Sequence, residues 1–274
     1  MKQQRIIHLT IIFLVFCNFL FGQNPYALKW KKESLIFGAE IIIGISASGI
    51  DNQVKPLNQN EIQGLNKNQI NVFDRSAANN YSESTAQLSN YLIGACLVSP
   101  IITVAGKKTR DAFAVISTMY LETALLAVFL PSYGKGSVQR IRPYVYNDKA
   151  PMEMKLTAEA RRSFFSGHTT MAFSSAVFLA TIYSNYYPTS KYKPFVWSGS
   201  LLMAGAVGFA RYKAGAHFPT DVLVGAIVGS SIGFIVPYMH KVRKSNTLTI
   251  VPNVLINRIG LGFVWQLGDN TKIR

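Results

Sequence analysis

The stretch RYKAGAHFPTDVLVGAIVGSSIGFIVPYM, residues 211–239, decides how this chain is read. Pro219 suits the first position of a helix, where a missing N–H costs nothing. From Pro219 to Met239 nearly every residue is apolar or small, a run long enough to cross a bilayer. Basic Lys241, Arg243 and Lys244 follow it. Just ahead of it stand Arg211, His217 and Asp221, with five and then three residues between them. Asp221, in the first helical turn, is expected to reach back to a ring N–H of His217. That contact would fix the tautomer and leave the other ring nitrogen as a nucleophile. Taken alone, the trio also reads as a polar helix cap with a satisfied histidine.

Two further clusters lie upstream. Lys135 and Arg142-Pro143 have six residues between them, and Ser166-Gly167-His168 opens the next apolar helix. Lys135 supplies a compact charge, and Arg142 and Arg211 supply planar forks suited to an oxyanion. Ser166 and Gly167 precede a helix, so their backbone N–H groups are expected to face an anion at its positive end. His168 is placed to act as a general acid toward a leaving oxygen. Any one basic residue alone is as well explained as a juxtamembrane anchor, and Arg140, Arg161 and Arg162 are read that way. Three cations, two imidazoles and a carboxylate in one order describe a phosphate site with its own nucleophile. His8 and His240, the remaining histidines, show no partner in the sequence.

Composition agrees with a membrane setting. Hydrophobic residues make up 49% of the 274 and charged residues 15%, too apolar for an ordinary soluble domain. The net charge of +15 is compatible with nucleic acid, anionic lipid or a phosphorylated substrate. No nucleic-acid-binding signature accompanies it. Cys17 and Cys96 lie in apolar runs, which gives neither a disulfide framework nor a zinc motif. No cluster of acids points to a catalytic metal.

The chain divides into residues 1–22, 23–86, 87–245 and 246–274. The first, with Lys2 and Arg5 ahead of apolar Ile6–Phe21 and a small Gly22, reads as an export signal, the alternative being an uncleaved anchor. Leu35–Ile50 is apolar but short, and Asp51–Ala86 is polar. Gln87–Gly106 and Ala112–Leu130 are of spanning length, the second carrying one acid, Glu122, and closed by Pro131 and Gly134. Thr169–Tyr187 and the Gly/Ala-rich Val196–Phe209 are further helices, the latter suited to close packing. Thr247–Pro252, Val254–Arg258 and Leu261–Leu267 read as short strands. The fold expected is therefore all-α, a bundle of about five or six mostly membrane-spanning helices, with a short β-hairpin-like C-terminal tail. The turns after Gly106, Pro188 and Met239 are basic, which places them in the cytoplasm and the three clusters on the opposite face. A cleaved signal conflicts with that parity unless Leu35–Ile50 lies along the interface or only packs against the bundle.

At these motifs the chain resembles the type 2 phosphatidic acid phosphatase (PAP2) superfamily, which shares its site with bacterial acid phosphatases and vanadium haloperoxidases. Lys135, Arg142 and Pro143 match the first signature. Ser166, Gly167 and His168 match the second, with Phe165 in place of proline. Arg211, His217 and Asp221 match the third, with Ala210 in place of serine. The resemblance covers about residues 87–244. It implies metal-independent hydrolysis through a phosphohistidine. Lys135, Arg142, Arg211 and the Ser166 and Gly167 backbone would hold phosphate, with His217 as nucleophile, Asp221 as its orienter and His168 as acid. It implies no cofactor, with vanadate as a phosphate-mimicking inhibitor. The substrate expected is a phosphorylated lipid: a polyprenyl diphosphate, a lipid A or phosphatidic acid. The alternatives are a periplasmic phosphatase of soluble esters, a vanadate-dependent haloperoxidase and a non-catalytic envelope scaffold.

Overall fold

In a computed structural model the described residues are 24–242, with the backbone of 247–255 and 258–266. The export signal expected at residues 1–22 lies outside them. Six long helices form the bundle: α1 (Trp30–Asp51), α2 (Glu83–Val98), α3 (Phe113–Val138), α4 (Gly167–Tyr186), α5 (Lys193–Lys213) and α6 (Pro219–His240). Four stretches, Trp30–Asp51, Glu83–Thr103, Phe113–Val138 and Pro219–His240, are helical, long and apolar enough to cross a membrane. Leu35, Ile42, Leu121, Ile227 and Phe234 stand exposed on three of them, as lipid contact requires and water would penalise.

α4 is the central helix. Its buried face is built of small and hydroxylic residues such as Thr170, Ala172, Ser174 and Ala176. One apolar layer joins it through Phe178 and Ile182 to Met119 of α3 and Ile232 of α6. A second joins Ala172 and Ala176 to Ile93 of α2 and Val207 of α5. Gly225, Gly229 and Gly233, four residues apart on α6, meet the backbone of Ser166, Thr170 and Ser174, four apart on α4. A Cβ at these glycines would lie 2.8, 2.3 and 2.4 Å from the three carbonyl oxygens. Without a hydrophobic drive between helices in lipid, such backbone approach is what holds them together. This ladder lies on α6; in the Val196–Phe209 segment Gly208 packs closely against Val222 and Thr169, while Gly199 and Gly205 have nothing within 4 Å.

Leu35–Ile50 packs against α3. It belongs to the 22-residue α1, which runs beside α3 from Glu33, near Glu122, to Ile50, against Gly136. The apolar core of α1 is short because its polar first turn is helical too. Pro131 and Gly134 do not end α3, which continues to Val138 with Pro131 inside it. A proline removes one helical hydrogen bond but does not stop a helix whose neighbours support it. Lys135 therefore projects from the last turn of a helix. The polar stretch after α1 forms short turns at Gln59–Gln63, Lys67–Gln69 and Arg75–Asn79. They pack Leu57, Ile70 and Ala77 onto Tyr144, Val145 and Phe218 at the motif end.

Lys241–Arg274 forms a second unit. Its backbone has two strands, Thr247–Leu255 and Arg258–Gln266, paired antiparallel from Thr247 opposite Gln266 to Leu255 opposite Arg258. The first two stretches read separately from the sequence are thus continuous through Pro252 and Asn253.

Candidate active site

The three clusters, up to 86 residues apart between Lys135 and Asp221, meet at one end of the bundle. Lys135 comes from the end of α3 and Arg211 from the end of α5. Arg142 precedes the short turn Pro143–Tyr146, its N–H donating to the Ala160 carbonyl at 2.8 Å. Lys135 Nζ lies 3.7 Å from where a Gly167 side chain would begin, so Gly167 leaves room for the ammonium at the start of α4.

His217 is buried in the loop between α5 and α6. Its Nδ1 lies 2.7 Å from the carbonyl oxygen of Ser163. A carbonyl only accepts, so Nδ1 carries the proton and Nε2 carries the lone pair. Burial, then the charges of Arg142, Arg211 and Lys135, hold the imidazole well below its ordinary range, and it stays neutral. All three charges lie near enough to act on the ring.

Asp221 does not do what the sequence spacing led one to expect. Its Oδ2 is 3.9 Å from His217 Nδ1, beyond hydrogen-bond range. That oxygen accepts instead from Ser163 Oγ at 2.6 Å and from the Phe218 N–H at 2.9 Å. Oδ1 accepts from Arg140 Nη1 at 2.6 Å. Asp221 thus grips Ser163, whose carbonyl grips His217. The reason is geometric: the i, i+4 spacing leads out of the loop into α6, and the first-turn carboxylate caps the N–H of Phe218.

Arg140 is not an anchor. Its fork bridges Asp221 to Asp74, 2.7 Å from Nη2, and its plane lies 4.0 Å over the Phe218 ring. Asp74 also accepts from the backbone and hydroxyl of Thr220 and from Asn71. Burial alone would raise the Asp74 carboxyl, but the bonds from Thr220, Arg140 and Asn71 outweigh it and hold it low. Arg161 and Arg162 are likewise paired, with Glu61 and with Asp51 and Glu159. Apart from Arg162–Glu159, three residues apart, these contacts are not readable from local sequence, since their partners come from distant turns.

Ser166 also departs from expectation. Its N–H donates to the Asp221 carbonyl at 3.1 Å, and its hydroxyl caps α4 through Thr169. It builds the loop rather than facing outward. His168 Nε2 lies 3.0 Å from Asn90 Oδ1 of α2, a partner the sequence reading missed. Arg142 pairs through Nη2 with Glu159, and Arg211 Nη1 donates to Ser89 at 3.3 Å. Yet Nε of both arginines is buried without a hydrogen-bond partner among the described residues. Buried donors of this kind are rare unless something anionic is to take them.

A bundle with spanning helices and cations gathered round a buried imidazole defines a membrane-embedded hydrolase of phosphoric esters. The family model described as "PAP2 superfamily" matches residues 113–245, and that region of the chain belongs to the PAP2 superfamily. The chain is 26% identical over 167 residues to a lipid A 4'-phosphatase of Porphyromonas gingivalis, covering 58% of this chain and 67% of that one. It is 29% identical over 162 residues to phosphatidylglycerophosphatase B of Bacillus subtilis, covering 56% and 73%. A solved transmembrane PAP2-type phosphatidylglycerolphosphate phosphatase from Bacillus subtilis is 22% identical, covering 76% of this chain and 95% of that one, with a TM-score of 0.44.

Proposed function

We propose that this protein removes phosphate from a membrane lipid, as a monoester or diphosphate, through a phosphohistidine on His217 and without a metal. The observation that carries this reading is the neutral, Nδ1-protonated His217 surrounded by Lys135, Arg142 and Arg211, two of whose Nε donors have no partner. Phosphate oxygens would take those donors and the Gly167 N–H. His217 Nε2 attacks phosphorus as the bond to the lipid oxygen breaks. His168 must enter this step as the imidazolium, although burial and then the charges of Arg211, Lys135 and Arg142 lower its pKa to about 3; the bound phosphate's negative charge opposes that shift. It passes its Nε2 proton, which faces Asn90 Oδ1, to that oxygen, which leaves as an alcohol or phosphate, and His168 is left neutral with its proton on Nδ1. Water then attacks the phosphorus, giving a proton back to His168, and the P–N bond breaks. Charge developing on the His217 ring is met by Ser163 and by Asp221 at 3.9 Å. Asp221 and Arg140 are positioning residues in this scheme.

Helices of spanning length with exposed apolar side chains favour a lipid-tailed substrate arriving sideways from the bilayer. The names of the relatives favour lipid A and phosphatidylglycerol phosphate among the candidate lipids. The motif end faces the periplasm in this proposal, because the lysines stand at the other end. α1 adds Lys29, Lys31 and Lys32 to that basic end, where Lys32 donates to the Met239 carbonyl. The residues just before α1 are then cytoplasmic, so this orientation and a cleaved signal after Gly22 exclude each other. The test is phosphate release in EDTA from a polyprenyl diphosphate, a lipid A, phosphatidic acid and a soluble aryl phosphate. Release from a lipid that His217→Ala abolishes is expected. Equal turnover by His217→Ala, or release from the soluble ester alone, sinks the proposal.

A further inference from the structure

A second cluster of chemistry lies at the other end of the bundle. Glu33 of α1, Glu122 of α3 and His240 at the end of α6 bring their ligand atoms within 4.8 Å of one another. His240 Nδ1 lies 2.8 Å from the Val236 carbonyl, so Nδ1 carries the proton and the lone pair of neutral His240 is on Nε2. That lone pair faces two carboxylates: Glu33 Oε2 at 2.8 Å and Glu122 Oε2 at 3.4 Å. Acceptors thus meet acceptors in a buried, apolar layer, and something positive must join them. Neither oxygen of Glu122 accepts a hydrogen bond from the described residues, and its side chain is fully buried. Glu33 is oriented by the Lys29 N–H, which donates to Oε1 at 2.8 Å.

We infer that Glu33, Glu122 and His240 form a structural site for a divalent transition-metal cation that ties α1 to α3 and α6. Bonds of about 2.0–2.2 Å to zinc place tetrahedral ligand atoms about 3.3 Å apart. The Glu122–His240 separation already matches, and Glu33 Oε2 has to move about 0.5 Å away from His240 Nε2. The carbonyl on Nδ1 and the amide on Glu33 are the outer contacts that ligating histidines and carboxylates require. A cation cancels both buried carboxylate charges, which a single proton on His240 cannot do. Glu33, 10% exposed at its side chain, is where the ion would pass. The site stands apart from His217, so it says nothing about the hydrolytic step.

The full chain, purified in detergent, is assayed for bound metal by mass spectrometry and for melting temperature with and without zinc. About one equivalent of metal, or uptake of one equivalent of added zinc with a raised melting temperature, is expected. Glu33→Gln and Glu122→Gln should each abolish that zinc-dependent rise. Glu33→Gln, at the rim, is the variant that keeps the fold. Overturning results are no stoichiometric metal and no response to zinc in the wild type, as a protonated His240 would give, or a zinc response that Glu33→Gln leaves intact.

Discussion

Replacing Gly229 with alanine tests whether the α4–α6 contact sets the site. The new Cβ would lie 2.3 Å from the Thr170 carbonyl oxygen and 3.0 Å from its carbonyl carbon and Cα. All three are backbone atoms, so no side chain can swing aside. Reaching ordinary contact opens the helix pair by about 1 Å. Overpacking of this kind costs about 2 kcal/mol, or about 4–8 °C in melting temperature for a chain of this size. The displacement reaches the chemistry. Asp221 lies two turns before Gly229, and its carbonyl is bonded to the Ser166 N–H beside His168. A shift of about 1 Å between reacting groups lowers turnover about 100-fold. Gly199→Ala on α5 is the control, since nothing lies within 4 Å of that site. Phosphate release and thermal unfolding in detergent read both variants. If Gly229→Ala melts and turns over like Gly199→Ala, the backbone ladder does not hold the site.

Three more expectations concern the groups around His217. Arg140→Gln leaves Asp74 and Asp221, both fully buried, without their shared cation. It should cost about 3 kcal/mol, since breaking a buried pair strands its charge. Arg140→Lys, which cannot fork to both acids, should recover only part of this in a denaturation midpoint. Arg211→Lys keeps the charge but loses the planar fork, so kcat/KM should fall about 100-fold while the melting temperature holds. His217 is held neutral in the folded protein and takes a proton more readily when unfolded. Below its ordinary pKa of 6.5 the unfolded state therefore gains protons, and stability falls as pH falls, by up to about 1.4 kcal/mol per pH unit. His217→Asn should show a shallower loss between pH 6.5 and 5 in parallel unfolding curves. Identical slopes would mean His217 titrates normally.

The motif residues were legible because each carries chemistry that short spacing preserves: Lys135, Arg142, Ser166, Gly167, His168, Arg211, His217 and Asp221 all come to one end of the bundle. What was not legible is how they are wired. Arg140 joins Asp74 to Asp221 across 66 and 81 residues, and no local pattern announces such a contact. Asp221 looked like the partner of His217 because it follows four positions later, but the loop at Phe218 turns its carboxylate toward Ser163. Asn90 and Ser89 sit inside an apolar helix and look like ordinary α2 residues until His168 and Arg211 meet them. His240 looked partnerless for the same reason. A signal was available for Glu122, a lone acid in a spanning helix, which is costly unless something answers it. The Gly225, Gly229 and Gly233 spacing was also visible, although only the facing carbonyls show what it accommodates.

The covalent step is the center of this account, and rapid quenching tests it most directly. Protein mixed for milliseconds with a lipid labelled on its phosphate is denatured and examined for label bound to the chain. The account expects an acid-labile, alkali-stable phosphate on His217, formed by the wild type in EDTA and absent from His217→Asn. Label retained by His217→Asn, or a wild type that turns over without ever carrying label, would contradict it.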